Sequence, residues 1–362
     1  MPEFISLKIT KYKANIFRQG LYAWALKHPR PMPWKGEKDP YKIWLSEIIL
    51  QQTRVEQGWP YFENFIRRFP TIHHLARAST EQVLKLWEGL GYYTRARNLH
   101  HTAIYISKDL RGQFPDEYDK IKQLKGIGDY TAAAIASFAY DQPYAVLDGN
   151  VHRILSRYFG IASLMQSNDQ KKYFQLISQQ LIDHSASGRY NQAIMDFGAT
   201  CCTPSKPRCA ECPLRRSCYA LKHQKVDQLP PAKINKLKRS RHFHYFIVVK
   251  DDQLAAINPR SKGDIWTGLF EFPMIETESA LFPLDTEHLV LQQLIKKPIT
   301  PILIAKQTLT HQVIHGYFYL CKIKTMAKKM NFIPVKTLTA LPMPGIIAKN
   351  RIELLNIINK YT

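Results

Sequence analysis

The sequence predicts two regions of different fold class: a mainly helical region over residues 1–225 and an α+β region over residues 242–362. Three observations carry this. Apolar residues recur at helical spacing through residues 42–57, 81–90, 94–108, 131–140, 151–158 and 171–183, separated by short glycine or proline breaks. Next comes a polar stretch, QLPPAKINKLKRSR at residues 228–241, whose two prolines and five basic residues read as a linker. Beyond it the pattern changes to strands: HFHYFIVVK (242–250) and GYFYLCKI (316–323) are rich in β-branched and aromatic residues. Residues 286–296 and 345–359 read as helices, which makes the second region α+β. A chain of 362 residues can build such cores without disulfides.

Charge narrows the function. Lys and Arg number 51 against 29 Asp and Glu, a formal net charge of +22. Both parts share the excess, +13 over residues 1–225 and +9 over the remainder. A folded chain so basic throughout suits a polyanionic partner, most simply nucleic acid. No run approaches the ~18 apolar residues of a membrane span, and MPEFISLKITKYK has no signal-peptide core. The expectation is a cytoplasmic protein without membrane contact.

Four of the six cysteines, Cys202, Cys209, Cys212 and Cys218, fall within seventeen residues in the pattern C-x6-C-x2-C-x5-C. Crowded thiols in a cytosolic chain read as metal ligands rather than cross-links. Four-cysteine zinc sites usually offer two close pairs and here there is one, so the spacing favours a [4Fe–4S] cluster while leaving zinc or free thiols open. Lys206, Arg208, Arg215 and Arg216 make the same loop basic. Cys321 falls in a predicted strand and reads as a small core residue.

Three further features carry chemistry. LKGIGDYTA (124–132) sets Gly126 and Gly128 around one apolar residue before a helix. That turn can aim backbone N–H groups at a phosphate, or be an ordinary helix–helix turn. Asp148, in LDGNV, precedes another helix, where an N-terminal cap is the plain reading. Glu47 lies inside the apolar run IWLSEIIL. On a helix it would lose solvation there, which raises a carboxyl's pKa and makes it a usable general acid. Pairing with Arg54 is the competing reading.

Together these motifs resemble the helix-hairpin-helix DNA glycosylase superfamily in its iron–sulfur branch, and within it the adenine DNA glycosylases of the MutY type. The stretches PMPWKGEKDPYKIWLSEIILQQTRVEQ, WEGLGYYTRARNLH, LKGIGDYTAAAIASFA, LDGNVHRIL, NQAIMDFGA and the cysteine loop carry it, covering nearly all of residues 1–225. The resemblance implies a two-lobed helical glycosylase fold with a [4Fe–4S] loop on Cys202, Cys209, Cys212 and Cys218. It implies that Glu47 protonates adenine N7 and that Asp148 stabilises the oxocarbenium-like sugar, with Tyr130 and Asn150 positioning the site. Related bifunctional lyases carry a lysine where Tyr130 stands, so a monofunctional enzyme is expected. Arg30, Trp34, Leu50 and Asp196 match positions lining the adenine pocket; Lys35 replaces the usual arginine beside them. Gln52 and Tyr92 match residues that wedge the duplex, and Gly126 and Gly128 match the DNA-binding hairpin.

Residues 242–362 resemble the family's C-terminal Nudix-like domain through Phe246–Val249 and GDIWTGLFEFP. Glu276, Glu278, Asp285 and Glu287 follow Pro273 without the Gly and Arg–Glu pattern of a metal-binding Nudix helix, so binding rather than hydrolysis is expected. Leu309, Thr310 and His311 match the family's Phe–Ser–His that reads 8-oxoguanine; the hydroxyl is kept and the aromatic ring is not. The implied partner is double-stranded DNA containing 8-oxoguanine:A or G:A mispairs, met by a monomeric, nucleoid-associated enzyme of bacterial type. A thymine glycosylase or lyase, a non-catalytic lesion binder and a nucleotide-pool hydrolase are the alternatives. Glu47, Tyr130 and the second domain together oppose the first, Glu47 with Asp148 the second, and the missing metal-binding helix the third.

Overall fold

The computed structural model describes residues 7–232, 237–250, 253–255, 257–261, 263–280, 300–323 and 332–361. The chain divides into two compact units, residues 1–77 with 98–234, and residues 78–97 with 235–362. No helix among the described residues is long and apolar enough to cross a membrane.

The first unit is helical, and its helices start where the local chemistry dictates. α1 (Lys11–Lys27) is capped by Thr10 and buries Phe17, Leu21 and Trp24 on one face. α2 (Pro40–Leu50) has Asp39 as its cap and proline in its first turn, where the missing N–H costs nothing. α3 is Val55–Arg68, α4 Ile72–Arg77, α6 Thr94–Lys108 and α7 Tyr118–Gln123. α5 (Thr80–Leu86), which belongs to the second unit, opens with a Ser79–Gln82 capping box. α8 is Asp129–Tyr140, α9 Gly149–Phe159, α10 Asn168–Leu181, α11 Ser187–Thr200 and α12 Tyr219–Lys222. Phe17, Trp24, Ala133, Ile154, Phe174, Tyr190 and Phe197 share one buried core drawn from α1 and α8–α11.

The expected helix over residues 42–57 is two helices, α2 and α3. Gln52 between them has φ 57°, a left-handed conformation that ends a helix, and apolar periodicity does not register so short a turn. α1 was not among the expected helices, although its buried Phe17, Leu21 and Trp24 have helical spacing.

Gly126 and Gly128 differ in what they allow. Gly126 has φ +86°, and a Cβ there would lie 2.8 Å from the Asn98 Cβ. Gly128 caps α8 with an ordinary φ and open space around it. Gly126→Ala is therefore expected to lower stability by about 1–3 kcal/mol, and Gly128→Ala by well under that, read as denaturant midpoints at constant m-value.

In the second unit one sheet runs β6-β7-β1-β2-β8, with β5 also paired to β1. β1 (Arg239–Lys250) runs parallel to β7 (Gln312–Lys322) over its length. On its other edge β1 pairs antiparallel first with β5 (Met274–Thr277), then with β2 (Gln253–Ala255). Phe243 to Val248 are buried without alternation, as a central strand covered on both faces requires. β6 (Leu303–Thr308) is antiparallel to β7, β8 (Phe332–Pro334) pairs with β2, and β3 (Asn258–Pro259) pairs with β4 (Phe270–Glu271) as a separate ribbon.

β1 begins at Arg239, inside the stretch read as linker, because Arg239, Ser240 and Arg241 pair with Gln312, Val313 and Ile314. The C-terminal helix expected over 345–359 is a short α13 (Gly345–Ala348) followed by α14 (Arg351–Tyr361). The helix expected over 286–296 lies outside the described residues.

Candidate active site

A cavity of about 1100 Å³ opens in the first unit, and Glu47, Asp148, Tyr130, Asn150, Arg30, Trp34, Leu50, Gln52 and Asp196 all line it. Residues far apart in sequence thus meet at one place.

α2 carries Glu47 inward, with only 5% of its surface exposed. Burial raises its carboxyl to about 7; the Asp148 charge adds to the rise, and a hydrogen bond with Tyr130 opposes it. The Tyr130 hydroxyl also lies 3.5 Å from Met195 Sδ. Arg54, the alternative partner for Glu47, is exposed at the start of α3.

Asp148 both caps α9 and lines the cavity. Its Oδ1 accepts from the Val151 N–H at 2.8 Å and its Oδ2 from Asn150 Nδ2 at 2.9 Å. Asn150 is itself held, its Oδ1 accepting from Arg153 Nη2 at 2.9 Å. Arg153 donates further to the carbonyls of Cys202 (2.7 Å) and Gly198 (2.8 Å). A continuous hydrogen-bonded path therefore joins Asp148 to the cysteine loop. One turn on, buried Arg157 donates to the carbonyls of Thr203, Pro204, Val226 and Leu229 and approaches Cys202 Sγ at 3.5 Å. Sequence reasoning missed both arginines, since basic residues in an amphipathic helix read as its wet face.

Asp196 is 2% exposed and receives Lys35 Nζ at 2.8 Å and Gln192 Nε2 at 3.1 Å, with Arg30 Nη1 at 3.8 Å. Lys35 thus supplies a cation to Asp196, as a point charge without an arginine's fork. Gln192, one turn before Asp196 on α11, was not singled out from the sequence.

Cys202, Cys209, Cys212 and Cys218 are all free thiols and line one small cavity of about 30 Å³ with Cys201, Arg157 and Arg215. Among the described residues no three His, Cys, Asp or Glu side chains converge as closely as a single metal ion would need.

Other candidates lie elsewhere. Gly126 and Gly128 form the turn between α7 and α8. Tyr92 belongs to the second unit, on left-handed backbone with φ 48°. Leu309, Thr310 and His311 form the tip between β6 and β7, closed by the Leu309 N–H donating to the Gln312 carbonyl at 2.8 Å. Thr310 Oγ1 is hydrogen-bonded to the Tyr92 hydroxyl. The Glu276 carboxylate accepts both Arg241 Nε (2.7 Å) and Nη2 (2.6 Å), and Glu271 is held by Arg260, so both are engaged by arginine rather than open to a cation. Asp285 and Glu287 lie outside the described residues.

Comparison with known proteins identifies the two regions of the chain. Residues 45–184 match the family model described as HhH-GPD superfamily base excision DNA repair protein, and residues 244–350 match the NUDIX domain. The adenine DNA glycosylase of Buchnera aphidicola subsp. Acyrthosiphon pisum is 39% identical over 271 residues, covering 75% of this chain and 76% of the relative. The chain belongs to the adenine DNA glycosylase family. Membership makes it a base excision repair enzyme of the DNA glycosylase class, with a Nudix-like domain after the glycosylase region. Among solved structures, a thermostable thymine-DNA glycosylase superposes with a TM-score of 0.55 at 26% identity, covering 60% of this chain and 100% of that one. A trapped Endonuclease III–DNA covalent intermediate does so at 0.50 and 19% identity, over 60% and 99%, a likeness of fold.

Proposed function

We propose that the enzyme hydrolyses the N-glycosidic bond of adenine mispaired with 8-oxoguanine or guanine, in double-stranded DNA, and leaves an abasic site. The observation that carries this reading is the buried Glu47, its carboxyl raised to about 7, in one cavity with Asp148. Adenine is a poor leaving group. A proton delivered to N7 by Glu47 draws electrons from the ring as the C–N bond breaks. Asp148, oriented by Asn150 and the N-terminus of α9, faces the positive charge growing on the sugar. Glu47, now ionised, is placed to take a proton from the attacking water. Tyr130 holds the Glu47 carboxyl through its hydroxyl and supplies no amine, which accords with a monofunctional reaction.

The base reaches this cavity only after leaving the duplex. Gln52 and Tyr92 fit the role of wedges, since both are held on left-handed backbone that non-glycine residues rarely adopt. The open side of Gly128 at the start of α8 suits close approach of a phosphate. Arg30, Trp34, Leu50 and Asp196 wall the adenine pocket, and Leu309, Thr310 and His311 read the opposite base. The enzyme acts as a monomer.

The cysteine loop fits a [4Fe–4S] cluster. Four thiols without disulfide partners frame one small cage in a basic loop, a sulfur-only donor set of the kind such clusters take. Cys202, Cys209, Cys212 and Cys218 would hold the cluster, whose contribution when bound is a structural cross-link of residues 202–218.

The test uses end-labelled duplexes with A opposite 8-oxoguanine, G or T, each reaction split and one half treated with alkali. Alkali-dependent cleavage at adenine in the two mispairs alone is expected. Cleavage without alkali, or none on any duplex by iron-replete enzyme, would overturn the reading.

A further inference from the structure

The second unit joins a short helical segment, residues 78–97, to the C-terminal sheet region, and among the described residues polar contacts at three places make that join. At one end Glu88 takes a two-pronged bond from Arg351, Nη2 to Oε1 at 2.6 Å and Nη1 to Oε2 at 3.1 Å. The Met343 N–H donates to the same Glu88 Oε1 at 2.9 Å, and Lys85 Nζ bridges Glu88 Oε2 and the Leu341 carbonyl. Both partners are largely buried, with side-chain exposures of 13% and 15%. At the other end Arg97 Nη1 donates to the Thr267 carbonyl at 2.5 Å. Between them the Tyr92 hydroxyl meets Thr310 Oγ1.

The middle contact is the weakest of the three by construction. Thr310 is exposed and sits on a hairpin tip, and Tyr92 is 42% exposed on strained backbone. Two such groups do not hold each other in water; one hydroxyl pair is worth little against solvent. Something stiffer must set their separation. A charge-assisted fork shielded from water fixes distance and angle together, and α14, which begins at Arg351, carries the fork on a regular element.

We propose that the Glu88–Arg351 pair is the positioning joint that keeps the Thr310 tip at the Tyr92 turn, so that the wedge and the lesion-reading residues act as one element. The proposal rests on the reading of Leu309, Thr310 and His311 given above. Neither residue lines the cavity of Glu47, and none of the contacts described above for the pair involves residues 309–311. Its loss should therefore spare removal of adenine opposite G and reduce the advantage that 8-oxoguanine confers.

The experiment compares wild type, Arg351→Met, Glu88→Gln, the double variant and Arg351→Lys. Single-turnover excision is measured on A:8-oxoguanine and A:G duplexes, with hydrogen exchange of residues 88–97 and 309–312 in the free protein. In Arg351→Met and Glu88→Gln the rate ratio between the two duplexes is expected to fall about tenfold, as loss of one charged hydrogen-bonded pair would give. The A:G rate should stay within about twofold of wild type, a change worth only a few tenths of a kcal/mol. The double variant should be no worse than either single one, and Arg351→Lys should recover part of the ratio. Exchange at 309–312 should accelerate in step with the loss. An unchanged ratio with unchanged exchange, or an equal loss on both duplexes, would overturn the joint. A wild type that shows no preference for 8-oxoguanine would instead remove the lesion-reading assignment and the joint's purpose with it, and that outcome is visible before any substitution is made.

Discussion

Glu47→Gln is expected to abolish adenine excision, lowering the single-turnover rate by at least the 10²–10⁴ that a positioned general acid contributes. Glutamine keeps the shape of the side chain and can still accept from Tyr130, so the fold and the cavity should survive while the proton does not. Mispair affinity should therefore be close to wild type in a gel-shift measurement. A variant that still turned over at the wild-type rate would remove Glu47 from the chemistry.

Burial adds a pH signature to that substitution. The Glu47 carboxyl lies near 7 when folded, against an ordinary 4.5. Between those values the folded protein holds a proton that the unfolded chain has released. Stability contributed by this group is thus complete below about pH 4.5, declines as pH rises, and is fully lost above about 7. The cost is on the order of 3 kcal/mol. Glu47→Gln escapes it, so the variant should melt several degrees above wild type at pH 8 and level with it at pH 4. In wild type, excision should fall above about pH 7 as the acid deprotonates.

The residues that bear chemistry were legible to different degrees, for physical reasons. Glu47 stood out because a carboxylate inside IWLSEIIL loses solvation, and pairing with Arg54 was its one local alternative; the structure leaves Arg54 exposed. Asp148 was legible as a helix cap, and it is one, but nothing in LDGNV reveals that the same carboxylate faces a cavity. Arg153 and Arg157 were hidden. Their helix is strongly amphipathic, and apart from Asn150 the backbone carbonyls they reach lie some 45 to 72 residues away, in α11, the cysteine loop and beyond it. Periodicity sees only neighbours one or two turns off. The left-handed backbone at Gln52 and Tyr92 was equally invisible, because neither residue type calls for it. In the sheet, alternation could identify β1 and β7 as strands but not pair them in parallel, 73 residues out of register. That pairing is set by burial on both faces, which is decided by the rest of the unit.

Asp148→Asn separates the two jobs of that residue. Asparagine is as good an N-cap as aspartate, and its carbonyl oxygen can still accept from the Val151 N–H, so α9 should keep its start and the protein its melting temperature. What disappears is the negative charge beside the sugar. The Asn150 amide, which donates to Asp148 Oδ2, would also meet a donor, and that mismatch can be relieved by rotation at the cavity surface. If Asp148 served only as a cap, excision by the variant would match wild type. If it stabilises the oxocarbenium-like state, loss of a preoriented charge should slow excision by about 10²–10³, with mispair binding little changed. Asp148→Ala supplies the control: it removes cap and charge together, and should add a stability loss of about 1 kcal/mol to the same rate defect. A rate defect shared by both variants, beside a stability defect confined to the alanine, is the outcome that assigns the charge to the reaction and the oxygen to the helix.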